Sequence, residues 1–454
     1  MLLQLVKGAT TVTLSGDGVT IAGCTYTPRT PEDSLNVVAS SWRNGGEIVA
    51  QAKRNVTESV SVILTGSSSA VIGQVRAIEA LFPVEEAQRR LVSDKLYVQY
   101  RQEATGDVYR SEVLAGRVEW STSLFSAGLA SGAVEITVIW QRRWFWEDTT
   151  LRDVPLSNGN GSNITNGLII WNHNDSGTGH NNWVSVGAAS VGGVIPAPAQ
   201  IEMETLQDIW LQKMCIGHNV QAAPTSLNVM LEGESSVQGG SNQADANASN
   251  GAWRQVSWSA NANGVVLFQW NLSASKLAQM RGNYFRVLAR IYSVPPDAYV
   301  TVSLRYPTDL LQMTIASTQE VAIQNTFLQN WGLLQIPSLT NTVELALVVT
   351  IRSATAGMLT LDFLQLTPVD SWRQWSQIGY NLETGDTYVD DGERAWWQNG
   401  AGLQYPLLIA DGNPIMLWPG RDQRLYFLAG GSVSMYPEWQ FKIKMMYRPR
   451  RLTV

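Results

Sequence analysis

Short segments in which apolar, often β-branched residues alternate with polar ones recur through this chain. In the first 148 residues they lie at Thr10–Leu14, Val56–Leu64, Leu96–Arg101, Val113–Ser121 and Val134–Trp140. A period of two places successive side chains on opposite faces of a strand, so each segment predicts a half-buried β-strand. The chain is therefore predicted to be mainly β and to be built from β-sandwiches.

One segment of the same region predicts a helix instead. The run Ser67–Ser69 offers N-cap side chains, and the polar pattern changes to a helical one directly after it. The apolar residues then recur at helical spacing, at Val71, Val75, Ile78 and Phe82. Pro83 interrupts this spacing. The spacing before it predicts one amphipathic helix packed on the first sandwich.

The amino-acid composition limits the kinds of partner that this chain is expected to bind. Charged residues make up only 15% of the chain, and its polarity comes from Ser, Thr, Asn, Gln and 38 Gly, which favours strands joined by uncharged turns. The net charge of −6 gives no general basic field, so no sequence-specific nucleic-acid partner is expected. No apolar run reaches the roughly 18 residues of a membrane span, and the first residues do not resemble a signal peptide. We expect synthesis in a cytoplasm and no membrane partner.

The domain boundaries are read from shifts in composition. Stretches rich in Asn, Gly and Ser lie at 151–167 and 233–251, and a separate series of strand-like segments runs from Trp253 to Leu366. The segments on either side of that series are each too short to form a sandwich alone. We therefore predict a first domain at 1–148, a second domain in two segments, 149–232 and 369–454, and a third domain, 233–368, inserted into the second.

No catalytic motif is recognisable. The chain lacks the nucleophile-elbow, zinc-protease, phosphate-loop and dinucleotide-binding patterns. The acidic run Asp390–Glu393 is typical of a turn, since adjacent strand residues point to opposite faces. We predict that the protein is not an enzyme.

Three motifs resemble one family. They are Thr137–Glu147 with its Trp-Gln-Arg-Arg-Trp-Phe-Trp run, Val186–Glu202 with its Pro-Ala-Pro, and the tail with Ile415–Gly420 followed by Met446–Arg450. In this order they resemble the distal tail proteins of the baseplate hub of long-tailed phages. The resemblance implies a tail-tube-like N-terminal β-sandwich that forms a ring and a galectin-like C-terminal β-sandwich.

The same resemblance implies a function and partners. The chain would be a structural virion protein of the tail tip, made in the host cytoplasm, whose homo-oligomeric ring, a hexamer in the family, joins the tail tube to the baseplate. Its partners would be the tail tube protein, the tail-tip hub and the tape measure protein, and its outer domains would bind host surface glycans or other tail-tip proteins. The alternative is a surface protein that binds or acts on polysaccharides through a carbohydrate-binding module.

A ring needs contacts between identical neighbours, and aromatic residues beside arginines are frequent anchors of such contacts. The first domain ends in such a cluster, so an oligomer interface is predicted at Trp140, Arg142, Arg143, Trp144 and Trp146. The alternative is that these aromatic residues close the core of the first domain.

The predicted insert has its own resemblance, to jelly-roll carbohydrate-binding modules. It is carried by Met230–Glu234, Asn247–Trp253, Tyr284–Arg290 and Gly357–Leu366. In such modules carboxylates of the first and last strands share a calcium ion, which here implies Glu232, Glu234 and Asp362, unless these are ordinary surface carboxylates. Glycan binding needs exposed aromatic faces, and the candidates are Trp253, Tyr292, Tyr306 and Trp331.

Overall fold

The structure is a computed structural model of the 454-residue chain. It describes all residues except 16–18, 22–25, 40–45, 83–93, 121, 159–160, 164–166, 173–178, 210, 221–228, 246–247, 294–296, 307–312, 325–327, 338–343, 378–381, 406–407 and 432–438. The chain divides into two units, of which the first comprises Met1–Arg152, Gly192–Pro196 and Arg448–Val454, and the second comprises Asp153–Val191 and Ala197–Tyr447.

The elements up to the end of the first continuous segment are β1 (Leu2–Lys7), β2 (Thr10–Thr13), β3 (Val19–Ile21), β4 (Asp33–Ala39), β5 (Gly46–Lys53), β6 (Val56–Thr65), α1 (Ser68–Glu79), β7 (Leu96–Arg101), β8 (Tyr109–Glu119), α2 (Thr122–Ser131), β9 (Ala133–Arg142) and β10 (Trp146–Asp148).

The strands that follow, up to the predicted insert, are β11 (Arg152–Asp153), β12 (Leu156–Asn158), β13 (Gly161–Asn163), β14 (Leu168–Trp171), β15 (Trp183–Val186), β16 (Ala197–Thr205) and β17 (Leu211–Asn219). Strand β18 (Val229–Glu232) precedes the predicted limit of the insert but pairs with the last strand of the insert and belongs to its sheet. The other elements of the insert are β19 (Ser241–Ala244), β20 (Ala252–Trp258), β21 (Ala262–Leu272), α3 (Ala274–Met280), β22 (Tyr284–Ser293), β23 (Ala298–Arg305), β24 (Thr314–Ser317), β25 (Val321–Ala322), β26 (Leu328–Gln335), β27 (Leu345–Ser353) and β28 (Gly357–Pro368).

The last strands are β29 (Ser371–Gln377), β30 (Thr387–Asp390), β31 (Ala395–Gln398), β32 (Gln404–Tyr405), β33 (Leu408–Gly412), β34 (Met416–Leu417), β35 (Gln423–Gly431), β36 (Gln440–Tyr447) and β37 (Arg450–Arg451). Every strand pair recorded in register is antiparallel, and the prediction of a mainly β protein is confirmed.

The first unit is built on one sheet with the order β2–β1–β7–β8–β9–β6–β3, to which β10 adds beside β8 and β37 beside β10. Strand β6 alternates strictly between buried and more exposed residues, as a half-buried strand should. The predicted helix is confirmed as α1: the Ser67 hydroxyl caps it by accepting from the Ala70 N–H, and its apolar residues enter the core. The second helix, α2, was not predicted.

Strands β4 and β5 form a separate two-stranded ribbon. They pair with each other from Asp33↔Lys53 to Ala39↔Gly46, with a register shift after Asn36. Among the strands that the structure describes, neither pairs with any other. No third strand of the described chain is therefore added to either edge of this ribbon.

The second unit contains a two-sheet sandwich and the insert. One sheet of the sandwich has the order β36–β16–β30–β31–β32, with β14 beside β36 and β34 beside β16, and the other has the order β13–β12–β15–β35–β17–β29–β33. Both sheets contribute to one apolar core, which includes Ile201, Ile216, Trp375 and Phe427.

The insert forms a second pair of sheets with a core of its own. The first has the order β19–β20–β28–β22–β26 with β18 beside β28, and the second has the order β21–β27–β23–β24 with β25 beside β23. The chain leaves the sandwich after β17 and returns at β29, and these two strands are neighbours paired from Lys213↔Ser376 to His218↔Ser371. The predicted domain limits themselves stay predictions, and the structure assigns residues 448–454 to the first unit, where β37 pairs with β10.

The insert also packs on the sandwich. A small buried apolar cluster combines Cys215 and Leu428 of the sandwich with Leu288, Leu328 and Phe363 of the insert. Strands β22 and β28 are consequently buried along most of their length on both faces. The contact between the two parts is a third, smaller apolar cluster of this unit.

Candidate functional site

The aromatic cluster at the end of β9 is organised around one buried carboxylate, that of Glu58. Its Oε2 accepts from the Tyr26 hydroxyl at 2.5 Å and from the Trp140 indole N–H at 3.1 Å, and its Oε1 accepts from Arg142 Nη2 at 2.9 Å. The Arg142 guanidinium also lies over the Trp146 ring, 4.4 Å from its centroid. Burial and the Glu58 charge raise the pKa of Tyr26, so its hydroxyl stays a hydrogen-bond donor.

This arrangement corrects the predicted oligomer interface. Trp140, Arg142 and Trp146 are 0% exposed, so the prediction that they contact a neighbouring copy is wrong. The physical reason is the register of β6 and β9, which places Glu58 opposite Trp140 and supplies the charge that lets Arg142 be buried.

Arg143 and Trp144 differ from the other three. Both side chains are partly exposed. Arg143 donates to Glu112 Oε2 at 3.0 Å, and the Trp144 ring meets Phe145 edge to face at 5.3 Å. Their place in an interface stays a prediction.

Two of the predicted glycan-binding aromatics come together in the insert. The rings of Trp253 on β20 and Tyr292 on β22 lie 3.8 Å apart between centroids, at an angle of 36°. Tyr292 is 46% exposed and Trp253 is buried beneath it. The pair presents one aromatic face to solvent, that of Tyr292.

The other two predicted aromatics are placed differently. Trp331 is 0% exposed and belongs to the core of the insert, so the prediction that its ring receives a sugar is wrong. Strand β26 directs it inward, and the alternation of a strand does not reveal from sequence which of its two faces will be covered. Tyr306 is partly buried and packs against the same core.

Asp362 is the centre of the predicted calcium site. It is 1% exposed; its Oδ2 lies 3.0 Å from Arg290 Nη1, and its Oδ1 accepts from the Ser249 backbone N–H at 2.8 Å. Burial raises the pKa of Asp362 to about 7, against the opposing pull of Arg290, and the negative charges of Glu234 and Asp245 add to the rise.

The two glutamates hold the turn Ser249–Gly251 against the first strand of the insert. Glu232 Oε1 accepts from the Ser249 hydroxyl at 3.0 Å, and Glu234 Oε1 accepts from the Asn250 side-chain amide at 2.7 Å. Asn250 has φ of +51°, a left-handed conformation that asparagine tolerates better than most residues. The carboxylates therefore fix this turn.

The fit of these residues to calcium is mixed. Glu234 Oε2 is buried and accepts no hydrogen bond from the part of the chain that the structure describes, which suits a cation. However, the described residues contain no group of three or more His, Cys, Asp or Glu side chains placed to hold a metal ion, and Arg290 already faces Asp362. Calcium at Glu232, Glu234 and Asp362 stays a prediction.

The acidic run that begins with Asp390, the last residue of β30, makes hydrogen bonds within the sandwich and within a turn. Asp390 accepts from Arg373 Nε at 2.6 Å and Nη2 at 2.9 Å, and from the Trp375 indole at 2.6 Å. Asp391 Oδ1 accepts from the backbone N–H groups of Glu393 and Arg394, as in a turn. Both aspartates are engaged in structural hydrogen bonds.

A cavity that sequence reasoning missed lies in the sandwich where the insert begins and ends. Its volume is about 590 Å³, and its lining consists of His218, Val220, Asp370, Ser371, Asn413, Pro414, Met416, Trp418 and Arg421. Trp418 is 44% exposed. The only local signal is the Trp-Pro-Gly-Arg turn at 418–421, because the other walls come from parts of the chain far away in sequence.

None of the helices that the structure describes has the length and apolar character needed to cross a membrane.

No protein-family model matches the chain, and no curated protein matches it. Among solved structures, the Dit protein of SPP1, described as a paradigm of the hub adsorption apparatus in phages that infect Gram-positive hosts, is 8% identical with a TM-score of 0.36 over 99% of both chains. The activated baseplate of phage p2 with strontium gives 8% identity and a TM-score of 0.30 over 100% of this chain and 99% of that chain. The activated phage P2 baseplate with calcium gives 9% and 0.29 over 100% of both chains. At these identities and TM-scores, the likeness carries no argument about the function of this chain.

Proposed function

We propose that this chain is a structural, non-enzymatic protein of the tail tip of a long-tailed phage, a distal tail protein whose ring joins the tail tube to the baseplate. The three sequence motifs support this proposal by their order along the chain. The observation that carries it is the ribbon of β4 and β5 in the first unit, whose strands pair only with each other in the described chain.

The ribbon supports ring formation for a physical reason. An isolated two-stranded hairpin is marginally stable in water, and an unpaired strand edge is a template for pairing with another chain. Pairing with the same ribbon or an adjacent edge in a second copy would satisfy those backbone groups. Repeated head to tail, such a contact closes into a ring. The tail tube protein, the tail-tip hub and the tape measure protein are the proposed neighbours of that ring in the virion.

The ribbon can be tested with a matched pair of variants. Ala50→Pro in β5 removes one backbone N–H and fixes φ, whereas Ala50→Thr keeps the N–H and suits a strand. We expect light scattering after size exclusion to show a ring-sized assembly for the wild type and Ala50→Thr, and smaller species for Ala50→Pro. Assemblies of the same size for the wild type and both variants would show that the ribbon does not form the contact between copies.

For the insert, we propose a non-catalytic role in binding host surface glycans. Tyr292, supported from below by Trp253, is the predicted aromatic that offers an exposed face for stacking on a sugar ring. Tyr292→Ala should weaken the binding of the assembled protein to host surface polysaccharide, while Tyr299→Ala, at another partly exposed tyrosine of the insert, should not. Equal binding by both variants would leave the insert as a spacer or a docking platform for another tail protein.

We propose that Glu232, Glu234 and Asp362 bind calcium, and chelation tests this site directly. A cation that binds only the folded state raises stability by mass action, by about 2.7 kcal/mol at a hundredfold excess over its dissociation constant. Chelation should lower the melting temperature of the wild type, and Asp362→Ala should remove the difference. A wild-type melting temperature that is the same with calcium and with chelator would exclude the site.

A further inference from the structure

Gln423 holds two residues of the cavity lining, His218 and Trp418, through hydrogen bonds of its side-chain amide. Gln423 donates from Nε2 to the backbone carbonyls of Trp418 (3.0 Å) and Arg421 (3.3 Å), and its Oε1 accepts from the Trp418 N–H at 2.9 Å. The amide is thereby oriented with Oε1 toward His218, whose Nε2 lies 3.1 Å away and must donate to it. These contacts fix the turn that carries Trp418.

The tautomer of His218 in turn orients a hydroxyl of the cavity wall. With its proton on Nε2, His218 presents Nδ1 as an acceptor, and the Ser371 hydroxyl donates to it at 2.9 Å. Burial lowers the pKa of His218 to about 4, so the imidazole is neutral near pH 7. The Ser371 oxygen keeps its lone pairs for a ligand.

Three further polar side chains line the cavity. Arg421 and Asn413 are exposed residues of the lining. Asp370 uses Oδ2 to accept from the Val220 N–H at 2.5 Å, which holds its carboxylate in place. The wall therefore offers a cation, an amide and a carboxylate beside the exposed indole of Trp418.

From this combination we infer that the cavity binds a saccharide, with one face of a sugar ring stacked on Trp418 and its hydroxyls bound by Asp370, Ser371, Asn413 and Arg421. A volume of about 590 Å³ lies within the range of about 300–1,000 Å³ typical of small-molecule sites. Asp370 disfavours a phosphate, and the charged and amide groups disfavour a purely apolar ligand. A sugar has both an apolar ring face and a rim of hydroxyl groups that match the wall.

This site is separate from Tyr292 and does not rest on the proposed virion role, since a single copy of the chain contains all of its residues. The test is saturation-transfer-difference NMR of the full chain carrying Tyr292→Ala, which removes the glycan-binding face proposed for the insert, with methyl glycosides of galactose, glucose, rhamnose, N-acetylglucosamine and glucuronic acid in excess. We expect at least one glycoside to give a signal with this variant, and the added substitution Trp418→Ala or Arg421→Ala to abolish it.

A matched control makes the experiment decisive. Added to Tyr292→Ala, Trp120→Ala removes a tryptophan of similar exposure, 41%, from the first unit and should leave the signal unchanged. The inference is overturned if no glycoside gives a signal with Tyr292→Ala, or if the signal survives the added Trp418→Ala.

Discussion

Asp362 gives the most quantitative prediction, a loss of stability as the pH rises. Its pKa rises from 3.8 to about 7 on folding, chiefly because the carboxyl is buried. The folded state therefore binds the proton more tightly than the unfolded state, so the stabilising effect of protonation is present at low pH and disappears as the pH approaches 7. The linkage relation gives a loss of about 2.6 kcal/mol between about pH 5 and about pH 8.

The perturbation is Asp362→Asn, which keeps an oxygen to accept from Ser249 but cannot ionise. At pH 5 the asparagine resembles the protonated carboxyl of the wild type, whereas at pH 8 the wild type has a charged Asp362 facing Arg290 and the variant does not, so the informative quantity is the slope of stability with pH. Asp297→Asn is the matched control, because Asp297 lies exposed in the same insert at φ of +52°, where asparagine is equally tolerated.

The assay is thermal unfolding of the full chain in chelator over that pH range. The melting temperature of the wild type and of Asp297→Asn should fall with pH relative to that of Asp362→Asn, by roughly 5 °C or more for a unit of this size. Parallel profiles for wild type and Asp362→Asn would contradict this prediction, because the Asp362 carboxyl would then titrate alike in the folded and unfolded states.

Two further predictions concern buried contacts. Arg142→Ala should lower the free energy of unfolding in urea by about 3–5 kcal/mol, because it removes the positive charge that pairs with the Glu58 carboxylate in the core. Arg117→Ala, at an exposed ion pair, should lower it by under about 1 kcal/mol. Equal losses would contradict the burial of the cluster. Deletion of 233–368 should give a poorly soluble product that binds a hydrophobic dye, because it uncovers Cys215 and Leu428 of the sandwich. Adding Leu428→Thr to the deletion should improve solubility. A deletion product as soluble as the wild type would show that the apolar contact between sandwich and insert is dispensable.

Much of the secondary structure could be predicted from alternation. The segment Leu96–Arg101 is β7 as predicted, and Val56–Leu64 and Val134–Trp140 differ from β6 and β9 by one or two residues at their ends. Helix α2 was missed because its sequence is rich in Ser, Ala and Gly and shows no clear apolar stripe. Its Gly128 is needed for a close approach, since a Cβ there would lie 2.6 Å from the Ala133 carbonyl oxygen.

The candidate sites were less predictable, for two physical reasons. Alternation separates two faces of a strand but does not reveal which is covered, so Trp331 and Tyr292 looked alike in sequence although one is core and the other surface. The cavity depends on contacts between distant segments, since His218 and Ser371 meet only because β17 and β29 pair across the insert. Nothing local in the sequence records that pairing.

Negative-stain electron microscopy of the purified full chain tests the central proposal most directly. We expect closed rings with a central lumen. Single particles of one chain each, at concentrations where light scattering also finds only monomers, would contradict it.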